Sequence, residues 1–279
     1  MSDPSPEPLV LMYHGLDPGD GRAADADPAV LAYVISAATF RAHLETIRNA
    51  GRHILPPDGF LSAPTEPITV PSPCPAVPSG ILLTFDDGSA SDYDAALPAL
   101  RAAGAQALFF VTTAQVGRPG RVGWAQLREM AAAGMGLGSH GHTHEFLTFP
   151  SETKLREELR RSRQLLEDQA GVSVRALSLP GGRFNRWTLA AAAATGFHTV
   201  FTSSPQRPVL QRKEALWLIG RVPVRATWPP QFLPNLLAHP DQHLRRMKRT
   251  EALRRAAQTV LGDRGYSWLH RAVWRVKGH

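Results

Sequence analysis

From residue 80 onward, short unbroken apolar runs alternate with longer stretches whose apolar positions recur at helical spacing. A run of four or five apolar residues suits a strand covered on both faces. Its alternation with amphipathic segments predicts a parallel sheet wound with crossover helices. ILLTF (81–85), ALFFV (107–111), MGLG (135–138), ALSLP (176–180) and HTVFT (198–202) read as strands. Between them, 93–103 reads as a helix stopped by Gly104, 124–133 as one closed by Gly134, 152–170 as a charged amphipathic helix ending at Gly171, and 186–195 as another. Ahead of this array, PLVLMYH (8–14) is a strand. The segment from Ile35 is a helix with Phe40, Leu44 and Ile47 on one face, leading to a further strand. A Pro-rich stretch at 64–78 reads as a loop inside the domain, and no internal repeat is present. The expected fold is α/β, a distorted barrel of parallel strands over residues 1–238, followed by a basic amphipathic helical tail over 239–279.

Composition adds bounds. A chain of 279 residues is long enough for one barrel-sized domain. Its single cysteine, Cys74, excludes an intrachain disulfide and a cysteine-based metal site. The first fifteen residues have no basic start, and the apolar run Leu9-Val10-Leu11-Met12 is far below a signal-peptide core or a membrane span, so a cytoplasmic protein is expected. Residues 241–279 hold 10 Lys and Arg against 3 Asp and Glu, while the rest of the chain is balanced. That tail mixes Arg with Leu, Val, Trp and Tyr. It suits an anionic membrane surface, which would place the protein peripherally at the inner membrane face, or an acidic partner; the alternative is a helix packed on the domain with a solvated basic face. Nucleic acid is disfavoured, because no recognition motif accompanies the charge.

The chemistry-bearing residues fall at strand ends. Tyr13-His14 follow one strand, Asp86-Asp87 another, His140 a third and Pro180-Gly181-Gly182 a fourth. In a parallel barrel these ends share one rim, where such folds build their sites. Neighbouring residues on an extended segment point in opposite directions, so Asp86 and Asp87 should have separate roles. In GSHGHTHEF a helical turn would put His140 and His144 on one face, and one Asp would complete a His-His-carboxylate set with open positions. Zinc suits those nitrogen ligands, and cobalt, nickel, iron or manganese would accept them. His142, His43 and His198 read as ordinary histidines.

TFDDG at 84–88 together with SHGHTH at 139–144 resembles the polysaccharide deacetylase superfamily, the carbohydrate esterases with a chitooligosaccharide deacetylase-like domain. The resemblance spans roughly residues 9–225 and implies a distorted α/β barrel, one divalent ion and an N-acetylated saccharide substrate. It implies that Asp86 is the catalytic base and that Asp87, His140 and His144 bind the metal. Where many members have Arg-x-Pro-Tyr, this chain has Ser178-Leu179-Pro180-Gly181, so the arginine that tunes the base and the tyrosine ring are missing. The N–H of Gly181 remains a candidate oxyanion donor, since that role needs no side chain. Arg183 is the candidate for the lost charge and, with Pro180, for substrate contact. No late Leu-x-His copy is evident. LVLMYH resembles the early-strand motif of the circularly permuted poly-N-acetylglucosamine deacetylases, which makes His14 the candidate general acid.

The expected function is therefore metal-dependent removal of N-acetyl groups from an amino-sugar-containing saccharide or lipid-linked precursor. Two alternatives stay open: an amide hydrolase acting on a non-sugar acylated amine or cyclic amide, and a non-catalytic saccharide-binding protein on the same scaffold.

Overall fold

The computed structural model describes residues 8–19, 31–58, 80–148, 150–205, 211–213, 216–250 and 252. Strands β1 (Leu9–Tyr13), β2 (Leu16–Asp17) and β3 (Ile35–Ser36) precede helix α1 (Ala37–Asn49). Then come β4 (Ile81–Phe85), α2 (Leu97–Ala102), β5 (Leu108–Val111), α3 (Trp124–Ala132), β6 (Gly136–Ser139) and α4 (Glu152–Ala170). The chain continues through β7 (Ala176–Ser178), α5 (Arg186–Ala194), β8 (Thr199–Phe201), β9 (Gln211–Lys213), β10 (Leu216–Ile219), β11 (Val222–Pro223) and α6 (Phe232–Ala238).

Eight strands run parallel in the order β11-β1-β4-β5-β6-β7-β8-β10, and β9 adds an antiparallel edge beside β10. Local chemistry sets the helices that cover this sheet. Ser36 caps α1 by accepting from the Thr39 N–H at 2.9 Å, and Phe40, Leu44 and Ile47 form its buried stripe. Ser151 caps α4, which stops at Gly171 in the left-handed conformation (φ 70°).

Only Gly220 and Arg221 separate β10 from β11, although these strands stand at opposite ends of the parallel order. Three Cα steps span at most about 11 Å. The sheet must therefore curl back on itself, and Arg221 lies on the seam.

The core has two layers. The larger lies between sheet and helices and includes Leu11, Tyr13, Phe85, Phe109, Leu159 and Leu177. The smaller, with Val10, Leu82, Leu108, Phe110, Phe201 and Ile219 among its members, comes from the alternate strand positions and fills the barrel interior. The strand expected after α1 shrinks to a single bridge between Ile54 and Ile81, because Pro56 and Pro57 have no N–H to extend a ladder. The Pro-rich stretch, Cys74 and most of the basic tail lie outside the described residues; 240–250 is helical.

Candidate active site

Strand register brings the four rim segments together. β1 and β4 pair in parallel from Leu9 with Ile81 to Tyr13 with Phe85, and the Asp86 N–H continues to the Tyr13 carbonyl at 3.0 Å. The residues that follow, His14 and Asp86, thus leave adjacent strands side by side. His140 is placed likewise, its N–H donating to Val111 O at 2.9 Å. Alternation alone would send Asp87 away from Asp86. A left-handed backbone at Asp87 (φ 81°) turns its carboxylate back toward the rim, a conformation uncommon for any residue but glycine.

Asp87 Oδ1 lies 3.3 Å from His140 Nε2 and 3.2 Å from His144 Nε2, and one potential ligand atom from each of the three residues lies within 4.8 Å of the others. His140 Nδ1 meets the Ser178 carbonyl at 3.0 Å, so Nδ1 carries the proton and the Nε2 lone pair faces the cluster. Two imidazole nitrogens and a carboxylate suit a divalent ion such as zinc. The residues present fit that group.

The His140–His144 segment is a loop, not the helical turn expected from the spacing. His144 has φ 71°, and one oxygen of Glu158 on α4 organises the bend. That Oε1 accepts from the His142 N–H at 2.7 Å, the Thr143 N–H at 2.6 Å and the Thr143 hydroxyl at 3.1 Å. Glu158 thereby satisfies backbone donors that a helix would have used internally.

Asp86 belongs to a different set of contacts. Arg221 grips it from the seam, with Nη1 2.7 Å from Oδ1 and Nη2 2.8 Å from Oδ2, and Ser178 Oγ donates to Oδ2 at 3.1 Å. The guanidinium also donates to Thr84 Oγ1, Ser178 Oγ and Thr202 O, and it is completely buried. Burial pulls the Asp86 carboxyl upward, but the charges of Arg221 and His140 outweigh it and hold the group below the ordinary carboxylate range. The arginine that meets Asp86 thus stands 43 positions beyond Ser178, whose small side chain leaves it room.

Arg183, the residue expected to restore that charge, lies elsewhere, with its guanidinium 4.8 Å above the Phe146 ring. Pro180 is buried against Gly141. Gly181 has φ 63°, and the Phe146 ring stands where a side chain at 181 would project, so only glycine fits there. Arg221 had a legible signal: it is the one charge in LWLIGRVPV, and a charge inside a buried run requires a partner.

His14 is half-buried at the same rim. Its Nδ1 has no hydrogen-bond partner, its ring lies 4.8 Å from Tyr33, and Arg225 covers Tyr33 at 4.9 Å. Burial lowers the imidazole pKa, while the Asp86 and Asp87 charges work against that shift. His142 bonds Thr113 Oγ1 and His43 approaches the Tyr13 hydroxyl; neither joins the cluster. A cavity of about 450 Å³ opens beside Asp87 and His144, with Gly15, Ser89 and Arg121 in its wall.

A parallel barrel whose strand ends carry a metal-ready His-His-Asp cluster, with a separately held carboxylate beside it, defines a class of barrel hydrolases. Residues 75–200 match the polysaccharide deacetylase family model, and the chain is similar to that superfamily of amide-bond hydrolases. YxkH of Bacillus subtilis strain 168, whose name assigns it provisionally to the polysaccharide deacetylases, is 26% identical over 215 residues, covering 77% of this chain and 70% of its own. The structure of IcaB from Ammonifex degensii is similar at 26% identity and a TM-score of 0.63, covering 84% of this chain and 97% of that one. The fold is also that of the Streptococcus pyogenes deacetylase PplD, solved with acetate, with a TM-score of 0.69, 22% identity and coverage of 84% and 99%.

Proposed function

We propose that this protein is a metal-dependent deacetylase that removes N-acetyl groups from an amino-sugar-containing saccharide, with Asp86 as base and His14 as acid. The observation that carries this reading is the division of labour between adjacent carboxylates: Asp87 meets two histidines, while Asp86 is held ionised by Arg221 outside that cluster. A carboxylate committed to a cation site is a poor base, so a second, separate one serves the proton transfer.

Asp87, His140 and His144 would hold the ion, which when bound supplies Lewis acidity toward the acetyl carbonyl and the attacking water. Asp86 keeps lone pairs beyond those directed at Arg221 and accepts the water proton as oxygen adds to the acetyl carbon. The Gly181 N–H donates to the developing oxyanion. His14 delivers a proton to the sugar nitrogen as the carbon–nitrogen bond breaks, leaving a free amine and acetate. Tyr33, whose ring lies tilted 4.8 Å from that of His14, packs against the imidazole.

Acetate release from a panel of N-acetylated saccharides by metal-reconstituted protein tests the reading. Asp86→Asn should retain metal and lose about 10²- to 10⁴-fold in turnover. Full activity in that variant would remove Asp86 from the role of base.

A further inference from the structure

Where β11 ends, a groove of about 480 Å³ opens that shares no wall residue with the cavity beside Asp87 and His144. Its size is that of a ligand pocket. Pro223, Trp228, Phe232 and Met247 give it an apolar lining, Arg225 and Arg246 stand in its wall, and no described Asp or Glu lines it. Trp228 and Phe232 stack with ring centroids 4.1 Å apart, and the His243 ring meets Phe232 edge-on at 5.5 Å. Strand pairing ties the groove to the candidate site. Pro223 pairs with Met12 of β1, two residues before His14, and Arg225 covers the Tyr33 ring that packs against His14. Charge around the groove is one-sided: residues 223–250 contain five Lys and Arg and a single acid, Asp241. Four of those bases occupy positions 245–249 on the helix that borders the groove, all exposed. The remaining residue there, Met247, is half-buried and lines the groove.

We propose that this groove holds one phosphate-headed lipid of an anionic bilayer, with the phosphate at Arg225 and Arg246 and the start of the apolar chain on Trp228 and Phe232. The inference goes beyond the deacetylase reading and does not depend on it. Guanidinium donors match phosphate oxygens in geometry and charge. Tryptophan with a polar edge beside an apolar face suits the boundary between headgroup and chain. The exposed bases at 245–249 meet the negative surface that surrounds such a lipid. A neutral saccharide would leave that excess of bases unanswered, so charge complementarity favours the phosphate. A lipid held there sets the candidate site at the bilayer surface, because Tyr33 contacts both Arg225 and His14.

The test co-sediments the full-length protein with vesicles of phosphatidylcholine alone or mixed with phosphatidylglycerol. Binding is expected only where phosphatidylglycerol is present. The double variant Arg246→Gln with Met247→Asp should weaken it at least about tenfold, in a protein of native circular dichroism. Arg249→Gln, on the same helix but outside the groove, should cost less than about fivefold. Phosphatidylglycerol brominated on its chains locates the lipid. In a Trp268→Phe, Trp274→Phe background it should quench tryptophan emission, and Trp228→Phe should remove most of that quench. No binding, equal binding to phosphatidylcholine, or equal losses in the groove and Arg249 variants overturns the site. Quenching that survives Trp228→Phe, or that disappears once Trp268 and Trp274 are replaced, does the same by placing the lipid elsewhere. Capture of polyglutamate that depends on Arg246 and Met247, without any vesicle binding, gives the groove to an acidic protein partner and overturns the lipid.

Discussion

The floor and the rim of the barrel interior are built from the same strands, two residues apart, and obey opposite rules. On the floor, Val10, Leu82, Phe110, Ala176 and Phe201 pack apolar surface against apolar surface. One step along the same inward-facing register stand Thr84, Ser178 and Arg221, and beyond them His14, Asp86 and His140. The floor is held by volume, and any residue of the right size and hydrophobicity serves it. The rim is held by partners, and each buried polar atom depends on another specific one. Asp86 shows the difference: fully surrounded, it stays ionised because a guanidinium faces both of its oxygens.

Arg221→Met breaks the rim hardest. Removing one member of a buried ion pair strands the other, and a stability loss of about 3–5 kcal/mol is expected by denaturant unfolding, much of it recovered in the double variant with Asp86→Asn. The pH dependence should change sign. The wild-type Asp86 pKa is depressed, so its contribution is present above the ordinary carboxylate range and is lost as pH falls through the folded-state value. Without Arg221, only the weaker pull of His140 and His14 opposes burial and the pKa rises, so the variant's deficit should shrink on acidification.

Leu82→Ala probes the floor in the same strand. A cavity cost of about 2–5 kcal/mol is expected, with no pH dependence and with metal affinity measured by calorimetry unchanged. The comparison fails if this variant loses metal before it loses stability. Glu158→Ala acts on the loop that carries His144 and should weaken metal affinity about 10- to 100-fold, as for other supports behind a ligand, with a smaller change in stability. Glu158→Gln, which keeps an acceptor oxygen, should restore part of that affinity.

How much of this was legible in the chain follows the same division. The parallel sheet, α4 with its stop at Gly171, and the delivery of Asp86, Asp87, His140 and His144 to one rim depend on periodicity, caps and strand ends, all of which are local. The grip of Arg221 on Asp86 spans 135 positions and exists only because β10 and β11 meet at a seam, which no window of sequence displays. The bend at His144 has the spacing of a helical turn, but its support, Glu158, comes from the following helix. The packing of Phe146 against Gly181 was equally hidden, since it depends on how two loops fold over each other.

The seam also sets an order of assembly during synthesis. Asp86 leaves the ribosome early and the His144 loop soon after, but the cation that keeps Asp86 ionised in the interior arrives only with residue 221, after every strand up to β10. Until then a nascent barrel carries a carboxylate that it can bury only by protonating it or by leaving the rim open to water. The rim cannot be finished until Arg221, between β10 and β11, is in place.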